Sequence, residues 1–98
     1  MTLQIGLLTF PKVQQLDLTG PYEVFALLPD VEVHLIAKSL SPVTSSTGMA
    51  ITPTATFADC PQLDVICVPG GPGINPLLTD ETVLDFIRRQ AERARYVT

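Results

Sequence analysis

At 98 residues the chain is long enough for one small domain, and 46% hydrophobic with 16% charged residues describes a globular interior rather than a disordered polypeptide. The formal net charge of −4 includes no basic cluster beyond scattered arginines near the C-terminus, which argues against nucleic-acid binding by this segment. No apolar run approaches the ~20 residues that span a bilayer. Met1-Thr2-Leu3-Gln4-Ile5 lacks the basic start and small-residue cleavage site of a secretory signal, and Cys60 and Cys67 make no disulfide framework, which suits a reducing cytoplasm.

Leu3 to Phe10 is a dense apolar run bounded by Pro11 and reads as a first, central strand. Lys12 to Leu18 reads as a loop carrying Asp17. Thr19-Gly20-Pro21 then predicts a helix over about 20–28, with Thr19 or Gly20 as cap, Pro21 in the first turn and Glu23 near the positive end of the dipole. Val31 to Ala37 predicts a second strand. Strand, short helix and strand make a βαβ unit with a right-handed parallel crossover. Between Pro42 and Pro53, two short β-prone pieces, about 43–45 and 49–52, flank Ser46-Thr47-Gly48 and predict a small hairpin.

Phe57 to Gln62 is a loop, followed by a strand over 64–68 that runs into Pro69-Gly70-Gly71-Pro72-Gly73. Asn75 to Leu78 reads as a single turn. Thr79 or Asp80 then caps a long helix with Asp80 and Glu81 at its start and Arg88, Arg89, Arg93 and Arg95 crowding its end. Val83, Leu84, Ile87, Ala91 and Ala94 form its expected apolar stripe. Tyr96-Val97-Thr98 begins a further strand. A parallel sheet needs helices on both faces, and two convincing helices are few for such a sheet. The expectation is therefore that the chain pairs with more polypeptide, its own continuation or a second copy.

The glycine turn after the 64–68 strand admits three readings: a tight loop without chemistry, a phosphate cradle, or an oxyanion site. The cradle is the weakest, because no Lys-Ser/Thr pair follows and the spacing is not GxGxxG. In the oxyanion reading the Gly70 and Gly71 amides face developing negative charge, a role worth roughly 3–4 kcal/mol in a transition state. Asp17 interrupts an apolar stretch where the first strand leaves the sheet. It is either a loop residue bonding the Thr19 or Gly20 amide, or a partly desolvated carboxyl with a raised pKa that exchanges protons near neutral pH. Cys67 reads as buried and inert, and Cys60 lacks a neighbouring cation to activate it. His34, between Val33 and Leu35, reads as structural, and Tyr22 and Phe25 as packing or interface residues. His34, Cys60 and Cys67 lack the paired spacing of a zinc site, so no metal is expected.

LQIGLLTFPKVQQLDLTGPYEVF, VTSSTG and LDVICVPGGPG with its capped helix and YVT, taken in order, resemble the N-terminal half of the PfpI-type, class I glutamine amidotransferase-like superfamily. The resemblance spans essentially the whole chain. It implies a flavodoxin-like α/β fold, a mostly parallel sheet with helices on both faces, of which residues 1–98 supply the N-terminal half of a single domain. It also implies a nucleophilic cysteine on a strand-to-helix turn a few residues beyond Thr98, with Asp17 as its acidic partner and Gly70 and Gly71 lining the anion pocket. A homodimer with its active sites near the interface, without metal or organic cofactor, is implied as well. Within the superfamily the pattern is most similar to enzymes that hydrate a small-molecule isonitrile to the N-substituted formamide. Two alternatives remain open: the ligand-sensing domain of a transcription regulator, and a deglycase or peptidase of the same superfamily.

Overall fold

A computed structural model describes residues 2–98. Strands β1 (Leu3–Leu8), β2 (Val31–Ala37), β5 (Ala55–Thr56), β6 (Val65–Cys67) and β7 (Tyr96–Val97) form one sheet in the order β5-β2-β1-β6-β7, parallel throughout. Strands β3 (Val43–Thr44) and β4 (Ala50–Ile51) form a separate antiparallel hairpin. Helices α1 (Gln15–Ala26), α2 (Ile74–Leu77) and α3 (Glu81–Ala91) complete the chain.

Side-chain alternation along the strands divides the interior into two layers. Ile5, Leu7, Leu35 and Cys67 belong to one buried cluster, which Leu18, Tyr22 and Phe25 of α1 join. Ile36 and Ile66, the strand neighbours of Leu35 and Cys67, belong to the second cluster with Ala55, Leu63 and Phe86. So α1 covers one face and α3 the opposite face, as the sheet requires. Phe86 of α3 stacks on Phe57, with ring centroids 4.5 Å apart. Tyr22 and Phe25 are thus packing residues, as read from sequence.

Three elements differ from the sequence expectations. Helix α1 begins at Gln15, well before the expected start, so Asp17 is in its first turn rather than in a loop, and Pro21 lies inside the helix. Burial of Leu18 beneath α1 accounts for the earlier start, because tertiary packing outweighs the local cost of an interior proline. Strand β5 was not anticipated: it has two residues, and its pairing with Ile36 and Ala37 is long-range. On α3 the fully buried positions are Val83, Phe86 and Gln90. Of the expected stripe only Val83 is among them; Leu84, Ile87, Ala91 and Ala94 are half-buried.

Gln90, a polar residue in that buried row, ties α3 to the loop before β6. Its Oε1 accepts from the Leu63 N–H at 2.9 Å, and its Nε2 donates to the Pro61 carbonyl at 3.0 Å. Since Leu63 is fully buried, Gln90→Met strands that N–H without an acceptor. The expected loss is about 1–3 kcal/mol, read from urea unfolding of the full-length variant.

Asp80 caps α3 as expected: Oδ1 accepts from the Thr82 and Val83 amides at 3.1 and 3.3 Å, and Oδ2 accepts from Lys38 Nζ at the exit of β2. The Lys38 hydrogen bond foremost, helped by the two amides, holds the Asp80 carboxyl below its ordinary value of 3.8 against a smaller opposing effect of desolvation. A carboxyl lowered in the folded state stabilises above its unfolded pKa and loses that contribution as pH falls through the folded value. The melting-temperature gap between wild type and Asp80→Ala is therefore expected to be full at neutral pH. It should narrow as pH falls below 3.8, and a scan of both proteins from neutral pH into acid checks it.

Candidate active site

The sheet order fixes where a site can form. From β1 the chain moves outward to β2 and β5, then returns across β1 to β6 and β7. This reversal places the topological switch point between β1 and β6, where a crevice opens beyond the carboxyl ends of the strands. The segment entering α1 leaves β1 on one side of that crevice, and the glycine turn leaves β6 on the other.

Backbone hydrogen bonds hold these two segments together. The Gln14 N–H donates to the Gly70 carbonyl at 2.9 Å, and the Gly73 N–H donates to the Lys12 carbonyl at 3.1 Å. From the other direction the hairpin grips the same segment: the Lys12 N–H donates to the Thr44 carbonyl at 2.7 Å, and the Ser46 N–H donates to the Val13 carbonyl at 2.9 Å. Lys12 is held between them at a φ of 63°, a left-handed conformation that a lysine keeps only when its surroundings enforce it. The contact leaves no room for side chains. A Cβ on Gly71, whose φ is 124°, would stand 2.5 Å from the Gln14 nitrogen, and one on Gly73 would overlap the Pro11 carbonyl oxygen.

The clasp brings together the three residues singled out from sequence. A Cβ on Gly70 would stand 3.3 Å from Asp17 Oδ2, so the carboxylate hangs over the Gly70 backbone. Among the described residues the Asp17 side chain makes no hydrogen bond, and its N–H donates to the Gln14 carbonyl at 3.1 Å. The loop-residue reading of Asp17, bonding the Thr19 or Gly20 amide, is thereby set aside, since both residues lie within α1. The expected partial desolvation is not found either: Asp17 is exposed to solvent in the first turn of α1. The Gly70 and Gly71 N–H groups donate to no acceptor among the described residues.

Cys67, at the end of β6, is buried beneath this arrangement. Burial pushes its thiol pKa up, and the negative charge of Asp17 pushes it further, so Cys67 is no thiolate nucleophile. Cys60 is raised to about 11 by burial and packs beside Gln90. His34 Nε2 lies 2.6 Å from Gln4 Oε1, on β2 away from the crevice. No group of three or more His, Cys, Asp and Glu among the described residues could hold a metal ion. No helix among them is long and apolar enough to cross a membrane. Sequence reading missed Lys12 and Gln14, whose part is played by backbone atoms; the Pro11-Lys12 step was the available signal.

The model of the DJ-1/PfpI family matches residues 4–98. The chain belongs to this family. Over all 98 residues it is 70% identical to the isonitrile hydratase of Pseudomonas putida, spanning 43% of that protein. Among solved structures, a ThiJ/PfpI family protein from Pseudomonas syringae superposes on 99% of the chain with a TM-score of 0.95 and 40% identity; the chain spans 41% of it. DJ-1beta of Drosophila melanogaster superposes with a TM-score of 0.85 at 20% identity, over 99% of this chain and 54% of its own length, and carries the fold alone. The chain thus spans about two fifths of the length of the first two relatives. The fold is the flavodoxin-like one of the DJ-1/PfpI family, as the sequence pattern implied.

If the glycine turn holds the Asp17 segment, a single methyl at Gly71 disturbs both. Gly71→Ala combines an unfavourable φ with the Gln14 contact, and the expected cost is about 1–3 kcal/mol. Hydrogen exchange at the Gln14 and Asp17 amides should quicken in parallel, whereas a local effect would leave those amides at wild-type rates.

Proposed function

We propose that the protein hydrates an isonitrile to the N-substituted formamide, with Asp17 as general acid and base. The nucleophile in this reading is a cysteine carried by polypeptide following Thr98. The carrying observation is the position of Asp17 Oδ2 over the Gly70 backbone at the switch point. Support also comes from the 70% identity to an isonitrile hydratase along the whole of this chain.

The chemistry follows from what an isonitrile needs. Its terminal carbon must accept both a nucleophile and a proton. The cysteine thiol passes its proton to the Asp17 carboxylate, and the resulting thiolate adds to that carbon while Asp17 hands the proton on to it, forming a C–S bond and giving a thioimidate. Asp17, now a carboxylate, takes a proton from water as the water attacks the same carbon. The remaining hydroxyl proton moves to the nitrogen as the C=O forms and the C–S bond breaks, and the released thiolate recovers its proton from Asp17 as the formamide leaves. This couples acid–base and covalent catalysis. The Gly70 and Gly71 N–H groups meet negative charge as it develops at the reacting centre.

A cytoplasmic homodimer completes the proposal. Two free cysteines suit a reducing compartment. Leu16, Val24, Leu27 and Leu28 on and just after α1 are exposed large apolar residues, a surface that a second copy would cover. Asp17→Asn in the full-length protein is expected to lower isonitrile turnover by at least about 100-fold, the usual weight of a positioned acid–base group, with an unchanged melting temperature. Formamide production at near wild-type rate by that variant would remove Asp17 from the reaction. Tight isonitrile binding without turnover by the wild type would instead favour the ligand-sensing alternative.

A further inference from the structure

A cleft of about 480 Å³ opens beyond the carboxyl ends of β1 and β2, on the far side of the Lys12 segment from Asp17. None of Asp17, Gly70 and Gly71 lines it. Its volume falls within the range of about 300–1,000 Å³ typical of small-molecule sites. It lies on the β5 side of β1, whereas β7 lies on the other.

The walls are chiefly apolar, with Phe57, Leu77 and Val83 among them. The polar side chains of its lining are Thr9, Lys12, Lys38, Ser39, Ser41 and Asp80, and all but Asp80 can donate a hydrogen bond. Asp80, the acid in the lining, has both oxygens engaged, Oδ1 by two backbone amides and Oδ2 by Lys38. Lys38 has further ammonium hydrogens to give. The Ser39 and Ser41 hydroxyls donate to no acceptor among the described residues; Ser39 Oγ only accepts, from the Ser41 N–H at 3.4 Å. A site with apolar walls, satisfied acceptors and spare donors beside a lysine suits an occupant that is apolar at one end and an acceptor at the other.

We propose that this cleft is a second binding site, separate from the crevice that holds Asp17, and that it takes a small organic carboxylate. The apolar body lies against Phe57, Leu77 and Val83, and the carboxylate accepts from the Lys38 ammonium and the Ser39 or Ser41 hydroxyl. The proposal is independent of the reaction assigned to Asp17. Because Lys12 and Gly73 line the cleft and are also bonded across the clasp, an occupant touches the segment that positions Asp17.

The test uses the full-length protein and two probes, 4-phenylbutyrate and its uncharged isostere 4-phenylbutyramide, titrated by calorimetry and by amide chemical shifts. The acid is expected to bind about tenfold more tightly than the amide, the difference between a charge-assisted and a neutral hydrogen bond. Its shifts should cluster at residues 38–43 and 80–83. K38M should abolish the preference for the acid, and L77W, which fills the cleft, should remove binding of both probes. Equal affinity for acid and amide, shifts centred on Asp17 and Gly70, or no binding at all would each overturn the proposal. Should L77W fail to fold, the comparison of the two probes on wild type and K38M still decides.

Discussion

The crevice of this protein is built on a backbone-to-backbone contact. Two loops leave adjacent strands, and for them to meet at hydrogen-bonding distance neither can carry a side chain at the crossing. Gly71 and Gly73 meet that requirement, and Lys12 tolerates a left-handed conformation because both its N–H and its carbonyl are bonded, to the hairpin and to the glycine turn. The hairpin, which otherwise looks like an appendage, is the outer jaw of this clasp. Without it the Lys12 segment would be gripped from one side only.

The same contact explains why an aspartate at the start of a helix stays free. Asp17 is the third residue of α1, a position whose side chain commonly reaches back to the N–H of the capping residue. Here the capping residue is Gln14, its side chain makes no cap, and its N–H is already donated to the Gly70 carbonyl. The carboxylate is thus released from structural duty and hangs over Gly70. Pro21, four residues on, has no N–H to give the Asp17 carbonyl. Buried beneath, Cys67 feels the charge of Asp17 as a push toward the neutral thiol.

The cleft and the crevice share the Lys12 segment as a common wall. One side presents glycine amides and an acid at the switch point; the other presents apolar walls with a lysine and hydroxyls at the rim. Both open at the carboxyl ends of parallel strands, where helix starts and loop backbone leave polar groups unspent. The Lys38–Asp80 pair fixes one side of the cleft by joining the end of β2 to the start of α3.

Much of the architecture was legible from residue pattern: the apolar runs of β1, β2 and β6, the turn around Ser46 to Gly48, and the Asp80 cap with its first-turn acid. These are local signals, spaced at the periods of strands and helices and bounded by residues with strong turn or cap preferences. That Asp17 lies close to the Gly70 backbone was likewise expected from sequence, through family pattern. The start of α1 was misread, because Gly20 and Pro21 are strong local start signals and only the burial of Leu18 overrides them. Strand β5 was invisible, since two residues pairing across 19 positions with β2 leave no periodic trace. Phe86 and Gln90 as buried residues of α3 were equally hidden, because which arc of a helix is covered depends on the sheet it meets. The amino-acid order determined the elements and the chemistry available in this protein. The tertiary structure alone decided that Asp17 is exposed beside bare glycine backbone, without a side-chain partner among the described residues, because that outcome rests on main-chain atoms from distant segments, whose hydrogen bonds carry no residue-specific signature.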